Sequence, residues 1–141
     1  MSRCAFIVFF LPLVMLPASC SHRSAISREE LRSIVRSSIS FTNETEISLD
    51  YVAAGRSTRS FASGHFGYIA KQVEQNLRQL NESRPSPGIE QDCRNSQEDV
   101  KELASELTTI SSQAIDASTI AAAKQRIAEI REALEKTSAS L

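Results

Sequence analysis

The chain has 141 residues, with 16 Lys and Arg against 17 Asp and Glu, and a formal net charge of −1 at pH 7. Nucleic-acid-binding domains are recognised by a clustered basic face, which this near-neutral chain lacks, so its composition argues against a nucleic-acid partner. Its length suits one small domain, and no repeat of 20 to 50 residues is visible.

The first nineteen residues are typical of an export signal. Arg3 supplies a positive start, and residues 5–16 then form an apolar run. A helix that spans a bilayer needs about 20 apolar residues, so this run is too short, whereas its length fits the core of a secretory signal. Pro12 and Pro17 would disrupt a permanent spanning helix but are tolerated in a segment that is removed.

The signal ends in Leu16-Pro17-Ala18-Ser19-Cys20, which resembles the lipobox of bacterial lipoproteins. Ala18, Ser19 and Cys20 match the family pattern, whereas Pro17 stands where the family prefers Leu, Val or Ile. The resemblance implies that Cys20 becomes the mature N-terminus and carries the lipid. The residue after it, Ser21, is not the Asp that favours inner-membrane retention, so the resemblance favours the outer membrane.

These motifs predict a leader at 1–19, a lipidated tether at 20–26, a helical domain at 27–137 and a frayed end at 138–141. Several acyl chains hold a protein stably at a membrane, so the domain would be tethered and face the periplasm. Cleavage nearby would instead release a soluble periplasmic or secreted protein. Without Arg3, 15 basic residues remain against 17 acidic residues.

The first helix is predicted from a capping box. The Ser27 hydroxyl can accept from the amide of Glu30 while the Glu30 carboxylate reaches back to the amide of Ser27, and Ile26 and Leu31 occupy the positions of a hydrophobic staple. An apolar stripe follows the box at Leu31, Ile34, Val35 and Ile39. The pattern predicts a helix over about 27–39.

A second box, Asn43-Glu44-Thr45-Glu46, follows Ser-Phe-Thr and predicts a long helix over 43–82. Its apolar stripe is Phe61, His65, Ile69, Val73 and Leu77. Gly55, Gly64 and Gly67 each cost roughly 1 kcal/mol relative to Ala in a helix. The pairs Ser60 with Gly64 and Ser63 with Gly67 allow close helix approach, or else mark a loosely packed or kinked helix.

The stretch 53–67 is the least conventional part of the chain and is where a functional surface is expected. The candidate interaction surface consists of Phe61, Gly64, His65, Phe66 and Tyr68. His65 follows the apolar stripe, which favours a core or edge histidine bonded to a neighbouring helix. No second His or carboxylate follows it at i+3 or i+4, so no metal site is predicted.

Two prolines and a glycine in 83–88 end this helix and predict an antiparallel neighbour, with Pro87 as its first residue and Ser86 as its cap. A coiled-coil-like heptad seam then runs through Ile89, Cys93, Ser96, Val100, Leu103, Leu107, Ile110, Ala114 and Ala117. The phase shifts after Ala117. A turn near 114–118 explains the shift, and one helix of about fifty residues with a local irregularity is the alternative.

The new register predicts a last helix over 120–137. Its apolar positions are Ile120, Ala123, Ile127, Ile130 and Leu134. Charged residues of both signs alternate between them, at Arg126, Glu129, Arg131, Glu132, Glu135 and Lys136. This pattern is typical of a solvated helix face.

Cys93 is the one cysteine expected inside the helical domain. Its place on the heptad seam favours a buried small side chain, since free Cys is among the most buried residue types. An intermolecular disulfide is an alternative, and a bridge between Cys20 and Cys93 becomes possible if Cys20 is not lipidated.

The sequence therefore predicts an all-α bundle of three or four helices, and no catalytic motif, metal site or cofactor site is recognisable in it. The leading hypothesis is a lipid-anchored structural or adaptor protein of the cell envelope that binds another envelope protein or a second copy of itself. The alternative is an exported module that binds a small apolar ligand or a regulatory partner. An enzyme or metal carrier using His65 or Cys93 is the least favoured class.

Overall fold

The computed structural model describes residues 25–113 and 116–141, which form a bundle of four helices. The helices are α1 (Arg28–Ala53), α2 (Arg59–Glu82), α3 (Glu90–Ser112) and α4 (Ala117–Ser140). Two short strands, β1 (Ala25–Ile26) and β2 (Arg84–Pro85), pair in parallel. The prediction of a small all-α bundle is confirmed. The leader, Cys20 and most of the expected tether lie outside the described residues.

The start of α1 follows the predicted capping box. The Ser27 hydroxyl accepts from the Glu30 amide at 3.2 Å, and Oε2 of Glu30 accepts from the Ser27 amide at 2.7 Å. Ile26 and Leu31 are both buried, as a hydrophobic staple requires. The Ile26 carbonyl also accepts from the amide and the hydroxyl of Ser86, at 3.1 and 2.7 Å. The last residues before α1 are therefore fixed to the α2–α3 connection.

The predicted break after residue 39 is wrong, because α1 continues to Ala53. The hydroxyls that suggested an interruption are satisfied inside the helix: Thr42 donates to the Ile39 carbonyl and Thr45 to the Phe41 carbonyl, both at 2.7 Å. The second capping box therefore lies within a continuous helix. Local side-chain bonding of this kind competes with helix in isolation but is tolerated where the helix packs on a core.

The real break follows α1, inside the predicted 43–82 helix. Gly55 has a φ of +66°, its amide donates to the Val52 carbonyl at 3.0 Å, and the Arg56 amide donates to the Tyr51 carbonyl at 2.9 Å. This pair of bonds is the Schellman motif, which ends helices at a left-handed glycine. Thr58 then caps α2 by accepting from the Phe61 amide at 3.3 Å.

The start of α3 also differs from the prediction. Ser86 does not cap it, since its hydroxyl donates to Ile26, and the first helical residue is Glu90. The Ile89 amide donates to the Ser86 carbonyl at 3.3 Å, and Gly88 has a φ of +87°. A proline followed by a glycine of positive φ is typical of a type II turn.

The chain from 86 to 137 contains two helices, as the turn hypothesis expects. Helix α3 ends at Ser112, and Asp116 caps α4 by accepting from the Thr119 amide at 2.8 Å. The expected fraying of 138–141 is wrong, because α4 continues to Ser140 and Leu141 is buried. The guanidinium groups of Arg28 and Arg32 donate to the main-chain oxygen of Leu141. Cations at a helix C-terminus also complement its dipole.

The core lies where the apolar stripes of the four helices meet. The seam of α3 is buried from Ile89 to Ile110, and the predicted apolar positions of α4 are all buried. Ala117 is exposed at the start of α4, and Ala114 lies outside the described residues. On α1 the inward stripe turns polar, with Ser38, Thr42 and Thr45 fully buried. Every buried polar side-chain atom among the described residues has a hydrogen-bond partner.

The charged face of α4 is less solvated than predicted, because two of its arginines reach neighbouring helices. Arg131 donates to Glu46 on α1, and Arg126 lies 3.3 Å from Glu106 on α3. Both pairs are partly buried, because the Glu106 and Glu46 side chains are only 11% and 22% exposed, so the desolvation of the charges offsets much of their attraction. The pairs therefore help to fix the positions of the helices without dominating stability.

The helices run alternately up and down, which gives the bundle two distinct ends. We call the end with β1, β2 and Leu141 the proximal end, and the end with the α1–α2 and α3–α4 connections the distal end. Around the bundle, α1 packs mainly on α4 and α2 mainly on α3, whereas α1 and α2 touch least among neighbours. None of the described helices has a stretch long and apolar enough to cross a membrane.

Candidate functional site

An open groove of about 610 Å³ lies at the distal end, where α1 and α2 diverge on either side of their connection. We call it the aromatic groove. It is lined by Ser48, Tyr51, Val52, Arg56, Ser57, Thr58, Phe61, Ala62 and His65. The groove exists because the Schellman turn and the Thr58 cap set the ends of two helices that pack sparsely against each other.

Two aromatic side chains form the walls of the groove and remain largely in water. Tyr51 is 51% exposed and Phe61 is 68% exposed. The Phe61 ring stacks on His65, with ring centroids 6.0 Å apart and planes 8° apart. Ala62 is buried and Val52 half-buried, so the floor is apolar. Exposed aromatic rings beside a packed apolar floor are suited to receiving another apolar side chain.

The polar groups of the groove are few. His65 Nε2 lies 3.3 Å from Glu44 Oε1 on α1, so His65 is the edge histidine with a neighbouring-helix partner that the sequence predicts. The Thr58 hydroxyl is occupied in capping α2. Arg56 is exposed at the mouth of the groove and has no ion-pair partner among the described residues.

The predicted interaction surface is only partly brought together. Phe61 and His65 line the groove, and Tyr68 is 58% exposed on the same helix but does not line it. Phe66 does not belong to a surface, since it is fully buried in the core. Gly64 is exposed, and neither it nor Gly67 has any atom within 4 Å of where a Cβ would lie. These glycines therefore do not serve close helix approach within the bundle.

The inward face of α2 is rotated by about one residue from the predicted stripe. Its buried residues are Ala62, Phe66, Ile69, Ala70, Val73 and Leu80. Steps of four drift around a helix of 3.6 residues per turn, so a stripe that begins at Phe61 cannot remain on the core face. Ile69 and Val73 belong to both sets, which is why the pattern looked continuous.

The α1 side of the groove was missed by sequence reasoning. Tyr51 and Val52 fall inside the predicted 43–82 helix and outside the stretch 53–67 where a surface is expected, and Arg56 lies in that stretch but is not singled out in it. A signal was present, since Gly55 followed by Ser57 and Thr58 combines a helix-ending glycine with helix-capping residues.

Two features of the described residues bear on an enzyme or metal carrier that would use His65 or Cys93. Within 25–113 and 116–141, no three side chains of His, Cys, Asp or Glu are grouped as a metal site would require. Cys93 is a free, buried cysteine, as its place on the seam predicts, and burial raises the pKa of its thiol. A thiol that is buried and protonated is a poor nucleophile and a poor partner for an intermolecular disulfide. The possible bridge to Cys20 lies outside the described residues.

Comparison of the chain with models of known protein families, with curated proteins and with solved structures found no match. The functional argument therefore depends on the groove and on the residues that form it. An open cleft with two exposed aromatic walls, an apolar floor and one free guanidinium is equipped for binding.

Proposed function

We propose that this chain is a lipoprotein of the bacterial cell envelope, anchored through Cys20, that acts as an adaptor by docking another envelope protein in the aromatic groove. One observation supports the docking role. In the described part of the chain, the large apolar side chains that remain more than half exposed are Ile47, Tyr51, Phe61 and Tyr68. Two of these side chains, Tyr51 and Phe61, line the aromatic groove together, whereas Ile47 and Tyr68 lie outside it, and apolar side chains exposed together in a cleft mark interaction surfaces.

The position of the groove suits a tethered adaptor. Helix α1 has 26 residues and is about 39 Å long, so the groove lies about 30 Å or more from Ala25. Ala25 lies five positions after Cys20, and an extended chain over five such steps reaches at most about 18 Å. A lipid on Cys20 would therefore hold the proximal end near the membrane, while the distal end could reach a partner beyond the lipid surface.

A small apolar ligand is the second candidate for the groove. Its volume of about 610 Å³ lies within the range of small-molecule sites. Such sites bury most of their ligand, however, whereas the aromatic walls here are themselves more than half exposed. An open cleft of this kind is better suited to a side chain presented by another protein, which brings its own surface to cover the walls.

Site-specific photocrosslinking in bacterial cells tests the adaptor proposal. A photoreactive amino acid in place of Phe61 is expected to give one discrete adduct with an envelope protein. The same substitution at Lys101, an exposed position on α3, serves as the matched control and is expected to give none. The Phe61 adduct should also be lost in a Cys20→Ala chain, because the unanchored chain no longer resides beside its partner.

Three results of this experiment would contradict the proposal. Adducts of equal yield at both positions would indicate random collision, and no adduct at position 61 would remove the docking role. An adduct of twice the mass of the chain would show that the groove meets a second copy, so that self-association takes the place of the adaptor role.

A further inference from the structure

The charges around the aromatic groove indicate what kind of partner segment it accepts. The residues that line it include a guanidinium, on Arg56, and an imidazole, on His65, but no carboxylate. Arg59, in the first turn of α2, is also exposed but lines a neighbouring cleft that contains Asp116 rather than the aromatic groove. The N-terminus of α2 adds a partial positive charge of the same sign.

The acidic residues of the distal end are already engaged. Asp50 lies 2.6 Å from Lys124, and Glu46 accepts from Arg131, so these two α1 carboxylates are paired towards α4. Glu44 lies beside His65. Asp116 accepts bonds from the first turn of α4, and its backbone bond with Thr119 is the main reason that its pKa falls to about 2.

Among the residues that line the groove, Arg56 carries a positive charge that has no ion-pair partner in the described part of the chain. The groove is otherwise largely apolar, so an occupant that complements both features must combine an apolar side chain with a nearby carboxylate. A guanidinium is weakly hydrated and binds a carboxylate through two parallel hydrogen bonds, which makes arginine effective at such a contact. A basic occupant would face repulsion from Arg56.

We propose that the aromatic groove binds a short acidic segment of a partner protein, with an aromatic or large aliphatic side chain held between Tyr51 and Phe61 and a neighbouring carboxylate paired with Arg56. This inference depends on the proposed adaptor function and specifies the chemistry of its partner. Charge complementarity sets the choice of segment, and the aromatic walls supply the apolar contact.

Peptide binding to the purified chain tests the proposal directly. The chain contains no Trp, so the fluorescence of a tryptophan in the peptide reports on the peptide alone. The probes are Asp-Asp-Trp-Leu-Asp-Asp, its lysine analogue Lys-Lys-Trp-Leu-Lys-Lys and the neutral Gly-Gly-Trp-Leu-Gly-Gly. At low salt the acidic peptide is expected to bind at least about 10-fold more tightly than the lysine peptide, and the difference should shrink as salt is added.

Two variants and their matched controls locate the site. Arg56→Glu is expected to reverse the order of the acidic and lysine peptides, whereas Arg36→Glu, at an exposed arginine near the middle of the bundle, should leave it unchanged. Phe61→Ala should weaken all three peptides by about 10-fold or more, whereas Tyr68→Ala should change them by less than about 2-fold. All four positions are exposed, so the variants are expected to fold, which circular dichroism checks.

Each negative result of these experiments contradicts a different part of the proposal. Equal affinity for the acidic and lysine peptides, or an unchanged order in Arg56→Glu, would overturn the acidic partner while leaving the groove as a docking site. Binding of no peptide, together with a dimer of the chain that Phe61→Ala dissociates in sedimentation velocity, would assign the groove to a second copy. Absence of both peptide binding and a photocrosslinked partner at position 61 would overturn the adaptor function as well.

Discussion

Two phenylalanines five residues apart on α2 should differ strongly in how much their truncation to alanine destabilises the fold. Phe66 is fully buried in the core, whereas Phe61 is 68% exposed on the wall of the groove. The apolar periodicity of the sequence places Phe61 on the inward stripe, whereas the structure buries Phe66. The two truncations therefore test which phenylalanine lies in the core. We expect Phe66→Ala to destabilise the fold severely and Phe61→Ala to leave it nearly unchanged.

The magnitudes follow from burial. Truncating a fully buried Phe removes its transfer free energy and leaves a cavity, which together cost about 3–5 kcal/mol. Phe61 buries only about a third of its surface, a contribution of about 0.5–1 kcal/mol when full burial contributes 1.5–3 kcal/mol. Alanine regains about 0.5 kcal/mol of helix propensity at that position. The net cost of Phe61→Ala should therefore be under about 0.5 kcal/mol.

Urea unfolding monitored by circular dichroism measures both values. With a slope of about 2 kcal/mol per molar urea, Phe66→Ala should lower the midpoint by about 2 M and Phe61→Ala by less than about 0.3 M. A similar loss in both variants, or a larger loss in Phe61→Ala, would mean that α2 is rotated in solution relative to the structure. The groove would then have no aromatic wall on that side.

Four further substitutions test three separate features of the fold. Gly55→Ala should lower the free energy of unfolding by about 1–2 kcal/mol because φ is +66° there. Gly64→Ala, in an open helical position, should raise it by up to about 1 kcal/mol. Thermal melts in which both variants shift Tm in the same direction would contradict the Schellman turn. Burial raises the pKa of Asp99, and the neighbouring carboxylates of Glu102 and Glu98 add smaller effects in the same direction. The folded state therefore binds the Asp99 proton more tightly than the unfolded state does, so the stability that the protonated form contributes is full at acid pH and is lost as pH rises through the folded pKa. Asp99→Asn should therefore raise Tm at pH 7 and lose that advantage below about pH 4, and a gain that grew with acidity would refute this reasoning. Thr45→Val removes a buried hydroxyl that bonds only to its own helix, so urea unfolding should show a gain of zero to about 1 kcal/mol, and a loss above about 0.5 kcal/mol would contradict it.

Local signals in the sequence predicted those parts of the fold that local chemistry determines. The capping box at Ser27 is formed by residues three apart, and it forms as predicted. The apolar register of α4 and the α3 seam through Ile110 also follow from spacing alone, because each stripe lies on one helix face. The Asp116 cap marks the phase shift between them.

The end of α1 depends on tertiary contacts, and the sequence pattern places it too early. Ser40-Phe41-Thr42 looks like an interruption, yet Thr42 is fully buried, like Ser38 and Thr45, and the hydroxyls of these three buried residues are satisfied inside the bundle. The burial of this polar stripe depends on contacts that no local window contains. Because the predicted break after residue 39 comes too early, the Gly55 turn falls inside the predicted 43–82 helix.

The candidate site was half predictable for the same reason. Phe61 and His65 lie within the unconventional stretch 53–67, so the α2 wall of the groove was anticipated. Tyr51 and Arg56 become part of a site only once Gly55 turns the chain, and Phe66 is excluded only once α2 is seen packing on α3. The aromatic groove therefore depends on the turn at Gly55, and the spacing of apolar residues does not predict the position of that turn.

The central claim is that the bundle is tethered at its proximal end and works at its distal end, and the tether depends on Cys20. Intact mass of the mature protein from a bacterial host tests this most directly, in wild type and in Cys20→Ala. The account predicts a wild-type mass that corresponds to residues 20–141 plus acyl chains, with the acylated species and membrane fractionation both lost in the variant. An unmodified mass in a soluble wild-type chain would contradict the tether and, with it, the adaptor role at the membrane.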